Sequence, residues 1–227
     1  MTFVFLVLVA VFSPSLASAW GPLTHIYLAN EIYSYGPLIP AGILSLIRRY
    51  RQDFLYGSVM ADMILGKKYL PEDRSSHSWD VGWKLAAQAR TGPEKAFVYG
   101  YLCHLAADTV AHETLTEEKM NVAHTWVELK ADSLIDKVHW LQAVAISRVV
   151  QKRNDLFLES TLGSFIFSLK TNRRIYKGIV LLSLLNRKRK RGVDRDQIER
   201  LHDSSIGRML DLLRNWRRSQ VLDKSPL

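Results

Sequence analysis

Cysteine is almost missing from this chain: Cys103 stands alone among 227 residues. That excludes an internal disulfide and any thiolate metal cluster. Its place in an apolar stretch makes Cys103 a buried small side chain rather than a ligand. Glycine and proline are missing from Tyr101 to Leu162, a run without breakers that favours long helices. Alternating Val/Ile/Thr-rich segments between hairpin turns are also missing, so little or no sheet is expected. Long apolar runs are scarce. Phe3–Phe12 is about half a membrane span, and Gly178–Leu185 is shorter still, so neither is expected to cross a bilayer as a helix. No Lys or Arg precedes Arg48, and no internal repeat is present.

The apolar positions that are there recur at threes, fours and fives, as in Val122, Trp126, Leu129, Leu134, Val138, Leu141 and Val144. The pattern predicts an all-α chain with helices near 23–35, 40–50, 52–65, 77–90, 94–113, 117–137, 138–153, 156–170, 172–187 and 195–219. The N-terminal apolar run ends in Ala17-Ser18-Ala19, the small-x-small pattern of a signal peptide cleavage site. Residues 1–19 are therefore expected to be removed, exporting a protein that begins at Trp20, to the periplasm or beyond. Charge is uneven. Residues 170–227 hold sixteen Lys/Arg against six Asp/Glu, whereas residues 1–169 hold fifteen against sixteen. The chain divides on this basis into a near-neutral part, 20–170, and a basic helical C-terminal extension, 171–227. The cluster Arg187-Lys-Arg-Lys-Arg191 is a candidate for peripheral contact with anionic membrane, and the amphipathic helix after it reads first as a solvated face packed on the domain.

The strongest chemical signal is His104-x3-Asp108-x3-His112, followed by His124-x3-Glu128. On a helix these steps place the first three side chains on one stripe, yet His104 and His112 are about 12 Å apart along the axis. One ion with bonds of about 2 Å cannot reach both, so the spacing calls for more than one metal. Each i,i+4 pair brings an imidazole and a carboxylate together, and nitrogen and oxygen donors without thiolates suit zinc. The full candidate set is Trp20, through a freed α-amino group, with His25, Asp62, His77, His104, Asp108, His112, His124 and Glu128.

Trp20-Gly-Pro-Leu-Thr-His25, Gly57-Ser-Val-Met-Ala-Asp62, His77 and the 104–112 and 124–128 runs together resemble the zinc-dependent phospholipase C family. That family includes the N-terminal domain of glycosylphosphatidylinositol-specific phospholipase D. The resemblance covers about residues 20–130. It implies a single multi-helix domain of the phospholipase C and single-strand nuclease type, holding two to three zinc ions in a cleft. It further implies that Asp62, His77, His104 and Asp108 hold one zinc; that Trp20 and His25 hold a second, with Asp108 bridging; and that His112, His124 and Glu128 hold a third.

The activity so implied is phosphodiester hydrolysis of a phospholipid, with Asp62 as a catalytic candidate that orients or deprotonates the nucleophile as well as touching metal. Tyr69, Trp79 and Trp83 either line a head-group cleft or pack between helices. A single-strand nuclease is the alternative, but its motif resembles His-x3-Asp-x5-His, not the x3 spacing found here, and its last acid is usually Asp where this chain has Glu128. Phospholipid is therefore the expected partner and nucleic acid is not. A non-catalytic exported zinc-binding protein would carry the same ligands.

Overall fold

A computed structural model describes residues 20–64, 75–116, 131–132, 134–163, 168–185 and 195–226. All the regular structure among them is helical, as expected: α1 (Pro22–Glu31), a 3-10 segment Ile32–Leu38, α2 (Ala41–Arg49), α3 (Arg51–Met63), α4 (Trp79–Gln88), α5 (Gly92–Thr116), α6 (Lys137–Val144), α7 (Arg148–Leu162), α8 (Leu169–Leu185) and α9 (Arg195–Asn215), with 3-10 turns at Trp216–Arg218 and Gln220–Asp223. No helix among the described residues is long and apolar enough to cross a membrane. The N-terminal segment 1–19, the aromatic Tyr69, the ligand candidates His124 and Glu128, and the Arg187–Arg191 cluster lie outside the described residues.

Local chemistry sets the helix ends. Ser78, Asp136 and Ser147 each accept a backbone N–H of the first turn they precede, starting α4, α6 and α7. At the start of α5 the cap is reciprocal: Thr91 Oγ1 accepts the Glu94 amide at 3.4 Å, while Glu94 accepts the Arg90 and Thr91 amides at 2.8 and 2.9 Å. Three expected helices are corrected. The span 138–153 is split, because α6 ends at Val144 and α7 starts afresh at Arg148 behind the Ser147 cap. The span 156–170 is broken because Gly163, at φ 81°, ends α7 in a conformation that side chains disfavour. The span 23–35 changes to 3-10 winding at Ile32, ahead of Gly36-Pro37.

The central event is the crossing of α3 and α5. A Cβ placed on Gly57 would lie 2.0 Å from the Phe97 carbonyl oxygen, and one on Gly100 would lie 2.0 Å from that of Phe54. Backbone thus meets backbone at two reciprocal glycines. Asp62 lies one and a half turns beyond Gly57, and His104 one turn beyond Gly100, so the close approach brings their side chains face to face.

The C-terminal helix belongs to the same core. α9 packs along α5 and buries Ile198, Ile206, Met209, Leu212 and Leu213. Arg208 donates to Thr109 Oγ1 at 2.7 Å and pairs with Glu113, which also pairs with Lys224. Within the basic segment 171–227, which charge alone set apart as an extension, α9 is thus joined to the helix that carries His104 and Asp108. Trp79 donates its indole N–H to the Lys224 carbonyl, and Trp83 packs edge-on to Trp216 under the Arg217 guanidinium. Both tryptophans pack between elements.

Candidate metal centre

Five of the eight expected ligand side chains meet in one buried cluster. α1 supplies His25, α3 supplies Asp62 and α5 supplies His104 and Asp108, while His77 comes from the turn ahead of α4. Trp20 lies just before α1 with its backbone nitrogen in the same cluster. Asp108 is fully buried and presents its two oxygens to two different sets of groups. Oδ2 lies 3.0 Å from His104 Nε2 and 3.3 Å from His77 Nε2. Oδ1 lies 3.1 Å from His25 Nε2 and 3.2 Å from the Trp20 backbone nitrogen. Asp62 Oδ1 completes the first set at 3.2 Å from His77 Nε2 and 3.9 Å from His104 Nε2.

Tautomers decide what this convergence means. His104 Nδ1 faces the Ser58 carbonyl at 2.9 Å, an acceptor only, so it carries the proton and donates. Ser76 Oγ donates to the Ala61 carbonyl at 2.8 Å and therefore accepts from His77 Nδ1 at 3.2 Å. In the neutral rings, both Nε2 atoms are then lone pairs. They point at one another across 3.2 Å and at the Asp108 carboxylate, an acceptor among acceptors. His25 Nε2, Asp62 Oδ2 and Asp108 Oδ2 are buried without a hydrogen-bond partner. Such an arrangement is costly unless a cation lies between the groups.

The spacing fits zinc as that cation. Ligands about 2.0–2.2 Å from a tetrahedral zinc are separated by about 3.3–3.6 Å, and five separations among His77, His104, Asp62 Oδ1 and Asp108 Oδ2 run from 3.0 to 3.9 Å. His25, Asp62 and His104, and likewise His77, His104 and Asp108, form groups able to hold a metal ion. Electrostatics agree. Burial works against charge on Asp62 and Asp108, yet the neighbouring imidazoles, His104 foremost, outweigh it and hold Asp62 down at about 2 and Asp108 well below the usual carboxylate range. Burial likewise opposes charge on His104, but attraction to Asp108 and Asp62 raises its pKa, while burial and the neighbouring His104 lower that of His25.

His112 is half-buried, two turns further along α5, and belongs to neither group of convergent donors. Its expected partners His124 and Glu128 lie outside the described residues, so the third set is not brought together among those described.

Asp132 was missed by the sequence reading. It is buried and accepts the Leu23 and Thr24 amides at 3.3 and 2.9 Å and the Thr24 hydroxyl at 2.8 Å. Gly21, at the cap position of α1, has no side chain, and a Cβ there would lie 2.3 Å from Asp132 Oδ2. A carboxylate remote in sequence thus caps the helix that carries His25. Burial raises its pKa to about 6, against the pull of these donors. The available signal was spacing alone, since Asp132 stands four residues after Glu128 and eight after His124 in the sequence.

Comparison with curated proteins and with solved structures finds no match. The family model described as zinc dependent phospholipase C matches residues 24–176, more than half of the chain. With the convergent His/Asp donors this resolves the resemblance: the chain belongs to the zinc-dependent phospholipase C family.

Proposed function

We propose that the protein is a phospholipase C-type phosphodiester hydrolase acting on phospholipids through two to three zinc ions. The observation that carries this reading is the division of labour at Asp108, whose two carboxylate oxygens face two separate donor sets. His77, His104 and Asp62 would share one ion with Asp108. His25 and the α-amino group of Trp20, freed by cleavage after Ala19, would share a second across the same carboxylate, and His112, His124 and Glu128 would take a third.

Zinc held there would supply Lewis acidity to the phosphoryl oxygens and a bound water acidified toward neutrality. The chain's own residues orient that chemistry. The Ser58 carbonyl and Ser76 hydroxyl fix the His104 and His77 rings with Nε2 inward, the outer-shell support that keeps imidazole ligands aimed. Asp62 is the most exposed side chain of the cluster, at 17%. Held ionised, it can accept a proton contact from an attacking water at the mouth of the site, so it acts as an orienting group before a strong base. Membership of the family is what supports cleavage on the glycerol side, releasing diacylglycerol.

We place the protein outside the cytoplasm after removal of 1–19, with the Arg187–Arg191 cluster on anionic membrane. Turnover of phosphatidylcholine compared with single-stranded DNA, at stoichiometric zinc, tests the reading. Phospholipid hydrolysis abolished by a chelator and restored by zinc is the expected result. Faster degradation of DNA would replace it with a nuclease, and zinc binding without turnover of either substrate would make the protein a zinc-binding module.

A further inference from the structure

The Trp20 indole is seated against α9. Its ring is only 2% exposed and its Nε1–H donates to Ser205 Oγ at 3.0 Å, on α9. His202, one turn earlier on the same helix, packs edge-on to the indole with ring centroids 5.2 Å apart, and Tyr27 of α1 lies at the same distance on another side of His202. At the other end of the same residue, the backbone nitrogen meets Asp108 Oδ1. Residue 20 therefore spans from the C-terminal helix to the carboxylate shared by both donor sets. Both Trp20 and α9 lie outside the matched stretch 24–176.

We propose that α9 forms an indole socket, with Ser205 and His202 as positioning residues that fix the Trp20 nitrogen as a zinc ligand. The inference rests on the reading of the centre given above. A chain terminus is normally the least ordered part of a domain, and a terminal amine makes a poor ligand unless something else restrains its residue. The socket supplies that restraint: a ring buried on one side chain, with a directional hydrogen bond, removes the freedom that metal binding would otherwise have to remove. It also gives the amphipathic basic helix a role in the metal centre, separate from the charge on its outer face.

The test compares the purified full-length secreted protein with Ser205→Ala, Ser205→Thr and Trp20→Phe, together with the same set carrying one added residue ahead of Trp20. Zinc per chain, zinc affinity by chelator competition and the unfolding midpoint of the zinc-free protein are measured. Ser205→Ala and Trp20→Phe are expected to weaken the affinity for one zinc about tenfold, the scale of an outer-shell defect, and Ser205→Thr is expected to restore it. With the extra residue in front of Trp20, the amine is no longer terminal, one zinc is weakened in every member, and the Ser205→Ala effect should disappear. Loss of zinc-free stability with unchanged zinc affinity would make the socket merely structural and overturn the proposal. An undiminished Ser205→Ala effect in the extended chain would also overturn it, because the hydroxyl would then act by another route. A wild type that binds no zinc would overturn the reading of the centre itself, a result distinguishable from either of these.

Discussion

Gly100→Ala is the sharpest perturbation the fold offers, because a single methyl group enters at the crossing that aligns Asp62 with His104. The new Cβ would lie 2.0 Å from the Phe54 carbonyl oxygen, where ordinary contact begins at 3.4 Å, so the two helices must separate or slide to open that gap. The obstacle is backbone, so truncating a neighbouring side chain cannot relieve it. Overpacking of this kind costs about 1–3 kcal/mol, and the better helix propensity of alanine returns about 1 kcal/mol, leaving a net loss of about 0–2 kcal/mol in the zinc-free protein. The metal centre is far less forgiving. Ligand distances tolerate about 0.2 Å, and His104 and Asp108 ride on the helix that moves while Asp62 and the Ser58 carbonyl ride on the other. Zinc affinity is therefore expected to fall by about a hundredfold or more, shrinking the rise in unfolding temperature that zinc confers on the wild type. Chelator competition and thermal unfolding with and without zinc measure the two effects separately. Gly42→Ala is the control, since nothing lies within 4 Å of its added methyl, and it should leave zinc affinity unchanged while adding up to about 1 kcal/mol of stability. Wild-type zinc affinity in Gly100→Ala would refute the claim that the glycine crossing sets the site.

Asp108→Ala should remove more zinc per chain than His112→Ala, since only Asp108 faces both donor sets; elemental analysis decides, and equal losses would contradict a bridging role. Asp132→Ala leaves the Leu23 and Thr24 amides uncapped and should cost about 1–2 kcal/mol in urea unfolding, with protection of the first turn of α1 lost in hydrogen exchange. Glu94 has its pKa raised by partial burial and, more strongly, lowered by the Thr91 and Arg90 amides. Its contribution to stability is present above the unfolded carboxylate pKa and is lost as pH falls through the depressed folded value. Glu94→Gln should therefore lower stability near neutrality and converge on the wild type at low pH, flattening the acid side of the stability profile. Replacing the basic residues Arg187–Arg191 with Gln should reduce co-sedimentation with anionic vesicles at low salt while zinc content stays constant.

The helices were legible because their signals are local. The breaker-free stretch from Tyr101 is enough to write the later part of α5, and Ser or Asp at a helix start needs no partner from elsewhere. The errors came where local signals compete. Gly163 stops α7 in the middle of an apolar pattern that continues past it, and the winding of Ile32–Leu38 tightens because Gly36-Pro37 lies ahead, not because the periodicity changes. Charge alone drew the boundary at residue 170, whereas the amphipathic pattern already read α9 as packed on the domain, and Ile198, Ile206, Met209 and Leu213 are its buried stripe.

The candidate site was legible as a list and illegible as an assembly. Imidazoles and carboxylates at i,i+4 announce candidate ligands, and the two helical turns between His104 and His112 already put the two beyond the reach of one ion. What brings the ligands together lies in residues with no ligand chemistry at all. Two glycines let α3 and α5 touch, a hydroxyl and a carbonyl turn the rings of His77 and His104 inward, and a serine on the last long helix holds the indole of the first described residue. Apart from Ser76, the immediate neighbour of His77, each of these acts on a partner remote in sequence: Gly57 on the Phe97 carbonyl, Ser58 on His104, Ser205 on Trp20. Their residue types are ordinary, so nothing in spacing distinguishes them from surface glycines and serines. A ligand list survives any rearrangement of the helices, but zinc affinity does not, and the variants that separate these two properties are the supporting residues rather than the ligands themselves.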